Sequence, residues 1–449
     1  MKKLILQTSI LNRSVHLPDT RDLAAALGPA FRLAFSPPHD YPMSVPMFET
    51  AQCLEREKTV LEQLRLYVHI PFCNYACTFC FFSKVISAKQ DQKKHYVEML
   101  KRELEWIEPG TRLSQLFVGG GTPTCLPPDL VDDFLSTIFN RVDRDPSIVH
   151  TFEASPESIT EAHLDVLQKH NIGRISMGVQ SLDQKTLNDV NRRHEADQAL
   201  KACKMIIDRG LILNIDLMYG LPKQQPEQLE SDIAILNELN VPSLTLYDLR
   251  INEHTPIARK IDDQGRWDLE KLVTWRSIAK QLAEDAGYKQ TRWHTYKKPD
   301  SVAAKHERIR CFDDDGSGFQ LGVGMSARSQ LGYTLYRNTR NMKTYLERMK
   351  KGLSPVEEII RLSEGDRKTQ FVARSIGDGK PLFRSAYQQA FGTRIDDDFP
   401  EAIERLTRFN ILEDTGETLF LSSTGRLVYD LTTISFYPDK AHQWLRKLN

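Results

Sequence analysis

Between residues 65 and 290, short apolar stretches alternate with amphipathic stretches that have helical spacing. Stretches rich in β-branched and aromatic residues predict six strands, at 66–70, 115–118, 149–154, 173–179, 211–217 and 243–249. The intervening stretches, and one stretch after the last strand, predict helices at 93–107, 129–140, 156–169, 197–209, 226–239 and 267–286. Strands joined by helical crossovers form a parallel sheet. Six units are fewer than the eight of a closed barrel, so we predict an α/β fold with an open, partial (β/α)6 barrel.

The rest of the chain predicts three further parts. Residues 1–64 are expected to form an N-terminal arm, with proline-containing stretches at 36–46 and a helix over 54–64 that leads into the barrel at 65–290. Residues 291–354 are expected to close the barrel, with 318–327 as a loop or short strand at its mouth. Residues 355–449 predict short helices and a hairpin turning near Gly416, which is typical of a small winged-helix-like domain.

Composition excludes several classes of function. The 449 residues include 60 Lys plus Arg and 60 Asp plus Glu, and this absence of net charge argues against broad binding to nucleic acid. No apolar run approaches the length of a membrane span, and the N-terminus does not resemble a signal peptide. The 7 cysteines do not suggest a disulfide framework, which favours a reducing cytoplasm.

Three of those cysteines, Cys73, Cys77 and Cys80, lie on a single loop directly after the first predicted strand. Three closely spaced thiolates can hold three irons of a four-iron cluster and leave the fourth iron open to a small molecule. Zinc would usually have four Cys or His ligands, often as paired C-x2-C units, and no second pair is visible. The spacing therefore predicts a [4Fe–4S] cluster with a catalytic rather than a structural role.

Small and polar residues follow the next strands. The three glycines of Gly119–Thr124 expose backbone groups to a ligand, although glycines alone also make tight turns. Glu153, Gln180 and Asp216 end the third, fourth and fifth strands. Each alone could be a surface residue, but polar residues at successive strand ends are typical of a ligand-lined barrel mouth.

Other polar residues are less decisive. Arg192 suits a carboxylate because its guanidinium is planar and always charged, but spacing alone does not choose between Arg192 and Arg193. Cys125 is interpreted as a packed core cysteine rather than a reactive thiol. His294 is interpreted as structural, so no catalytic residue is predicted beyond the cofactors.

From about Tyr41 onward, the chain resembles radical S-adenosylmethionine (SAM) enzymes, in the branch of oxygen-independent coproporphyrinogen III oxidase. The resemblance is carried by Tyr-Val-His-Ile-Pro-Phe-Cys at 67–73, Gly-Gly-Gly-Thr-Pro-Thr at 119–124, Gly-Val-Gln-Ser at 178–181 and Asn-Ile-Asp-Leu-Met-Tyr-Gly-Leu-Pro at 214–222. In that family, the cluster binds SAM at its open iron and cleaves it with one electron to generate a radical. The resemblance implies a flavodoxin or ferredoxin as electron donor and a tetrapyrrole as substrate.

The resemblance also implies two bound SAM molecules. The cluster-bound SAM is expected to contact Tyr67, Gly120 and Glu153. A second SAM is expected to contact Phe79, Gly121, Thr122, Gln180, Arg192 and Asp216, with looser matches at Arg250 and Arg328.

The sequence departs from the oxidase at Phe82, where the oxidase carries a further cysteine. Phenylalanine there resembles the class C radical SAM methyltransferases, which include anaerobic heme-degrading enzymes, and also the related heme chaperone. The chaperone usually lacks a long segment before the first strand, whereas about 64 residues precede it here. The sequence alone therefore favours methylation or remodelling of a tetrapyrrole such as heme, with the oxidase and the chaperone as alternatives.

Overall fold

The computed structural model of the protein describes residues 2–5, 14–28, 49–50, 62–252, 254–261, 268–306 and 317–447. At the N-terminus, strands β1 (Lys2–Ile5) and β2 (Ser14–Leu17) pair in antiparallel fashion, and helix α1 (Thr20–Leu27) and strand β3 (Glu49–Thr50) follow. The predicted proline-containing stretches lie outside the described residues, as does the predicted helix over 54–64 up to residue 61.

The central part alternates strands and helices as the sequence predicts. Its elements are β4 (Leu64–Ile70), β5 (Phe72–Cys73), β6 (Val85–Ile86), α2 (Gln90–Leu104), β7 (Thr111–Gly120), α3 (Pro128–Phe139), β8 (Val142–Arg144), β9 (Thr151–Ala154), α4 (Glu161–Lys169), β10 (Arg174–Gln180), α5 (Gln184–Asp189), α6 (Ala196–Asp208), β11 (Ile212–Tyr219), α7 (Pro226–Glu238), β12 (Ser243–Asp248) and α8 (Leu269–Asp285). Strands β4, β7, β9, β10, β11 and β12 are neighbours in this order, and all pair in parallel. The predicted α/β fold with a partial barrel is confirmed.

Side chains alternate across this sheet, and the alternation separates the core from the site. On β4, Leu66 and Val68 are fully buried in the apolar core that includes residues of the surrounding helices. Tyr67 and His69 alternate with them and therefore point to the opposite, inner face. The inner face carries the polar residues that the sequence places at strand ends.

The sheet continues beyond the six predicted strands. The following elements are β13 (Lys289–Gln290), β14 (Thr295–Lys297), α9 (Val302–Lys305), β15 (Gly318–Val323), β16 (Arg328–Gly332), β17 (Thr334–Asn338), α10 (Met342–Lys350) and β18 (Val356–Arg361). Strand β14 pairs with β12 at one side, whereas β15 pairs in parallel with β4 at the other and leads to β16, β17, β18 and β3. The stretch 318–327 thus contains strand β15, which extends the central sheet next to β4.

A buried carboxylate fixes the turn between β15 and β16. Glu103 of α2 is fully buried and accepts hydrogen bonds from the Gly324 N–H (2.7 Å), the Asn338 side-chain amide (2.7 Å) and the Tyr345 hydroxyl (2.8 Å). A buried carboxylate with several donors is satisfied and holds their elements together. Glu103 therefore fixes the start of β16 near the carboxyl end of β4.

The C-terminal part consists of short helices and a small antiparallel sheet. Its elements are α11 (Glu364–Gly377), β19 (Leu382–Phe383), α12 (Arg384–Phe391), α13 (Ile395–Asp398), α14 (Pro400–Arg408), β20 (Leu412–Asp414), β21 (Thr418–Leu421), α15 (Tyr429–Ile434) and α16 (Asp439–Lys447). The predicted hairpin is formed by β20 and β21 around Gly416, whose positive φ of 83° suits glycine. Among the described residues, no helix is long and apolar enough to cross a membrane.

Candidate functional site

The three predicted cluster ligands lie on a loop that its neighbours hold in place. Cys73, Cys77 and Cys80 are all partly accessible. The backbone N–H of Thr78 donates to the Val190 carbonyl (3.0 Å), and the Asn191 side-chain amide donates to the Ala76 carbonyl (2.6 Å). These bonds attach the cysteine loop to the segment after α5, so the loop conformation is fixed by the fold.

The thiols of the cysteine loop could each bind a different iron of a cluster. Among the described residues, no three Cys, His, Asp or Glu side chains converge on a position for one metal ion. In an iron–sulfur cluster each thiolate binds a different iron, so separated thiols are suitable. Burial raises the pKa of the Cys73 thiol to about 12 and also raises that of Cys77, so binding iron would release protons.

The glycine loop packs directly against the cysteine loop. The N–H groups of Gly121 and Thr122 donate to the carbonyls of Ile70 and Phe72 (both 2.8 Å), and the Thr122 hydroxyl lies 3.7 Å from the Cys73 sulfur. A β-carbon at position 121 would lie 2.7 Å from the Phe72 carbonyl oxygen and 3.0 Å from the Cys73 sulfur. Glycine at 121 therefore serves the close approach of the two loops, and not only the approach of a ligand.

Glu153 and Tyr67 lie beside this loop on the inner face. The Gly120 N–H donates to Glu153 Oε2 (3.2 Å), and a β-carbon at Gly119 would lie 2.6 Å from the same oxygen. The Tyr67 hydroxyl is 3.0 Å from Nδ1 of His69. Burial and the nearby charge of Glu153 raise the pKa of Tyr67, so its hydroxyl keeps its proton. The three residues predicted for the cluster-bound SAM, Tyr67, Gly120 and Glu153, thus lie together.

Gln180 and Arg192 meet at the end of β10. Gln180 has a φ of 74°, a left-handed conformation that a non-glycine residue adopts at a cost, and it follows an irregularity in the strand. Arg192 is buried, donates to the Gly178 carbonyl, and places Nη1 3.7 Å from the Cys77 sulfur. The structure thus distinguishes it from Arg193, which has no such contact with a cysteine among the described residues. Arg192 thus connects the end of β10 to the cysteine loop.

Asp216 of β11 is opposite Gly178 in the register of the sheet. Its carboxylate accepts a hydrogen bond from the Asn214 side-chain amide (2.8 Å), and the Ser176 hydroxyl is 3.5 Å away. Burial raises the pKa of Asp216 to about 6, and the charge of Arg174 and the hydrogen bonds offset only part of that effect. A carboxylate with a raised pKa on the inner face is typical of a ligand site.

The remaining residues that were predicted to contact the second SAM are Phe79, Arg250 and Arg328. Phe79, on the cysteine loop, packs against the apolar core and is only partly buried. Arg250 forms ion pairs with Asp248 (2.6 Å) and with Asp430 of the C-terminal part (2.6 Å), so it connects the two parts of the chain. Its role in binding SAM stays a prediction. Arg328, at the start of β16, is exposed.

Sequence reasoning missed several buried polar residues of these networks. Asn214 donates to Ser176 and Thr245 (both 3.0 Å) and orients Asp216. Arg276 pairs with Asp430 (2.9 Å) beneath Arg250. Only the alternation of polar and apolar residues along β11 could have indicated Asn214, because its partners come from other strands. As interpreted from the sequence, Cys125 is buried.

His294 has a structural environment. Its Nε2 lies 2.5 Å from the Tyr429 hydroxyl, and burial lowers its pKa to about 4. The imidazole is therefore neutral and hydrogen-bonded, and the absence of a catalytic side chain beyond the cofactors stays a prediction.

Comparison with known proteins agrees with this geometry. The family model of the radical SAM superfamily matches residues 67–236. The chain is 30% identical over 292 residues to the heme chaperone HemW of Escherichia coli (strain K12), covering 63% of this chain and 74% of that protein. It is 27% identical over 401 residues to the oxygen-independent coproporphyrinogen III oxidase of Salmonella typhimurium, covering 85% of this chain and 87% of that protein. The solved structure of coproporphyrinogen III oxidase (HemN) from Escherichia coli has the same fold, with a TM-score of 0.74 and 24% identity over 84% of this chain and 91% of that one.

The protein therefore belongs to the radical SAM superfamily, in the branch that contains oxygen-independent coproporphyrinogen III oxidase and the heme chaperone HemW.

Proposed function

We propose that the protein is a radical SAM enzyme that acts on a tetrapyrrole, with oxidative decarboxylation of the coproporphyrinogen III type as the first candidate reaction. The observation that supports this most is the meeting of the cysteine loop, the glycine loop and Glu153 at one edge of the sheet. When bound, a [4Fe–4S] cluster and SAM would supply one-electron chemistry that no side chain can perform.

The residues of the chain would bind and orient the cofactors. Cys73, Cys77 and Cys80 would bind three irons. Tyr67 and Glu153, which lie beside the glycine loop, would position the cluster-bound SAM. Arg192 would supply a buried cation against Cys77 and the end of β10, where a carboxylate is bound most favourably.

The similarity to known proteins supports the oxidase more than methyl transfer. The oxidase similarity extends over 85% of this chain, compared with 63% for the chaperone. The preference for methyl transfer that the sequence alone suggests is therefore replaced by the oxidase and chaperone alternatives.

A specific observation keeps methyl transfer as the second candidate. Phe82, at the position where the oxidase has a cysteine, is 58% exposed and stacks on Phe81 with ring centroids 4.7 Å apart. An exposed aromatic pair beside the cysteine loop offers a flat surface and no thiol. Methyl transfer would require a second SAM that gives up its methyl group, for which Gln180, Arg192 and Asp216 are the proposed contacts.

Mass spectrometry of products separates the three reactions. Reconstituted protein is incubated anaerobically with SAM, a reductant and either coproporphyrinogen III or heme. With an added one-electron acceptor to take the electron that the substrate radical releases, decarboxylation gives 5′-deoxyadenosine, carbon dioxide and a lighter tetrapyrrole, whereas methyl transfer gives a heavier one and S-adenosylhomocysteine. Stable binding of heme without either nucleoside would favour the chaperone. Absence of tetrapyrrole binding and turnover would contradict the proposal.

The variant Arg192→Ala refines this test. If Arg192 holds a second SAM, the variant should lose S-adenosylhomocysteine more than 5′-deoxyadenosine. Because Arg192 also contacts Cys77, iron content is measured in the same samples. Equal loss of both nucleosides together with iron would assign Arg192 to the cluster loop instead.

A further inference from the structure

We propose that Arg328, Arg337 and Arg340 form a site that binds the carboxylate groups of the substrate, beside the SAM site. This inference rests on the proposed function and deepens it, because it requires a substrate with at least two carboxylates. We thereby assign Arg328 to the substrate rather than to the second SAM.

The register of the sheet places Arg328 and Arg337 on the inner face, and Arg340, two residues after the end of β17, is close enough for the charge of Arg328 to act on it. Tyr67 of β4 is opposite Phe117 of β7 on one side and Gly322 of β15 on the other. The pairing of β15 with β16 continues this row to Arg328, and a β-carbon at 322 would collide with the Arg328 backbone. Residues directly opposite one another point to the same face of a sheet. Arg328 therefore shares the face of Tyr67, with only a glycine between them.

The next strand adds a second arginine to the same row. Arg337 of β17 is directly opposite Arg328, and Glu358 of β18 is directly opposite Arg337. Arg337 is buried and forms an ion pair with Glu358. Arg328 and Arg340 are exposed, and within the described residues their side chains form no ion pair or hydrogen bond. Glu358 pairs with Arg337, and the charge of Glu357 also acts on Arg337 and Arg340, so these three guanidinium groups face two carboxylates.

Like charges directly opposite each other destabilise a sheet, so the pairing of Arg328 with Arg337 costs stability unless an anion binds beside them. Burial, followed by the charges of Arg340 and Arg328, lowers the pKa of Arg337 to about 9. Arg328 and Arg340 thus both repel Arg337, and the charge of Glu357 opposes this effect. An anionic ligand would relieve the repulsion, and guanidinium groups bind carboxylates through paired hydrogen bonds.

The charge of the site favours the substrate over SAM as the source of the carboxylate. SAM carries one carboxylate but also an ammonium and a sulfonium, so a group of arginines repels it overall. A tetrapyrrole with several acidic side chains carries only negative charge at its periphery. Its carboxylates could bind Arg328 and Arg340 while the ring lies over Tyr67.

The test compares porphyrin binding to the reconstituted protein and to Arg328→Gln. The probes are coproporphyrin III and its tetramethyl ester, which has the same ring without carboxylates, and binding is followed by fluorescence. Arg328→Gln should weaken binding of coproporphyrin III about tenfold or more, as expected for a lost charge-assisted hydrogen bond. It should change binding of the ester less than twofold. Arg340→Gln should act in the same direction.

Arg361→Gln is the matched control, since Arg361 is an exposed arginine at the end of β18 in the same sheet, and its position alternates to the opposite face. It should bind coproporphyrin III like the wild type. Unchanged coproporphyrin affinity in Arg328→Gln, with tight binding by the wild type, would overturn this inference and leave the proposed function intact.

SAM binding to Arg328→Gln is measured in parallel, and it shows whether Arg328 binds the carboxylate of SAM or the carboxylates of the substrate. Loss of SAM affinity in Arg328→Gln, with porphyrin affinity retained, would return Arg328 to the SAM site and overturn the inference. Equal binding of the ester and the acid by the wild type would also overturn it. No binding of either porphyrin by the wild type would overturn both the inference and the proposed function.

Discussion

The variant Asp216→Asn should stabilise the iron-free protein while it impairs binding of SAM. Asp216 lies on the inner face of the barrel, and burial raises its pKa from the usual 3.8 to about 6. The folded protein therefore prefers the protonated carboxyl group. A charged Asp216 opposes folding at neutral pH, and asparagine removes that charge while keeping an oxygen that accepts the hydrogen bond from Asn214.

The size of the effect follows from the pKa. A rise from 3.8 to about 6 corresponds to about 3 kcal/mol at a pH well above 6. Because the carboxylate keeps some contact with solvent, we expect a gain of between about 1 and 3 kcal/mol in the free energy of unfolding. The sign follows from linkage: Asp216 destabilises the wild type progressively as the pH rises from about 4 through 6. The difference between variant and wild type should therefore be full at pH 8 and absent below about pH 4.

Urea unfolding of iron-free protein at several pH values measures this difference. Asp143→Asn, at an exposed carboxylate of β8, is the control and should change stability by less than about 0.5 kcal/mol. Two results would contradict this prediction. One is an Asp216→Asn variant that is less stable than the wild type at pH 8, and the other is a difference in the free energy of unfolding that is the same at every pH. Titration calorimetry with the cluster-loaded protein should show weaker SAM binding.

Three further predictions concern the cluster and the fold. Cys77→Ser should lower iron content and visible absorption, and a full, SAM-cleaving cluster in this variant would contradict the ligand assignment. Gly121→Val should also lower iron content, since its β-carbon would collide with the cysteine loop; normal iron would show that the loops separate easily. Asp430→Asn should destabilise the protein by about 3 to 5 kcal/mol, measured by urea unfolding, because it leaves Arg250 and Arg276 poorly neutralised in the interior, and a change below about 1 kcal/mol would contradict this.

Local patterns were sufficient to predict the central sheet. The strands β4, β7, β9, β10, β11 and β12 are short apolar runs bounded by helices, so their type and order are visible in the sequence. The same holds for Cys73, Cys77 and Cys80, whose spacing is a property of a single loop. Gln180 ends β10 and Glu153 is the last residue but one of β9, as the sequence indicates, whereas β11 continues to Tyr219 and Asp216 lies within its strand rather than at its end.

Long-range pairing could not be predicted from local patterns. Strand β15 pairs with β4 at a separation of more than 250 residues, because Gln320 is opposite Arg65, and nothing in either segment specifies the other. The sheet therefore extends further than six strands, and the row that joins Tyr67 to Arg328 is visible only in the structure. Likewise, the ion pair between Arg250 and Asp430 depends on packing of the C-terminal part, whereas the sequence suggested only a loose SAM contact.

The packing of Gly121 changes one expectation. From the sequence, the glycines of this loop are expected to expose backbone groups to a ligand, so a larger residue at 121 would interfere only with the ligand. The structure puts the Phe72 carbonyl in the same space, so the cysteine loop itself would have to move. Such close backbone approaches are set by tertiary structure, which explains why the sequence did not reveal this one.

Electron paramagnetic resonance of the reduced, reconstituted protein shows directly whether SAM binds at the cluster. If Cys73, Cys77 and Cys80 hold a [4Fe–4S] cluster next to Tyr67 and Glu153, adding SAM should change the spectrum, and 5′-deoxyadenosine should form once a tetrapyrrole substrate is added. The Cys77→Ser protein should show neither response. A wild-type cluster whose spectrum is unchanged by saturating SAM, with no 5′-deoxyadenosine, would contradict the account.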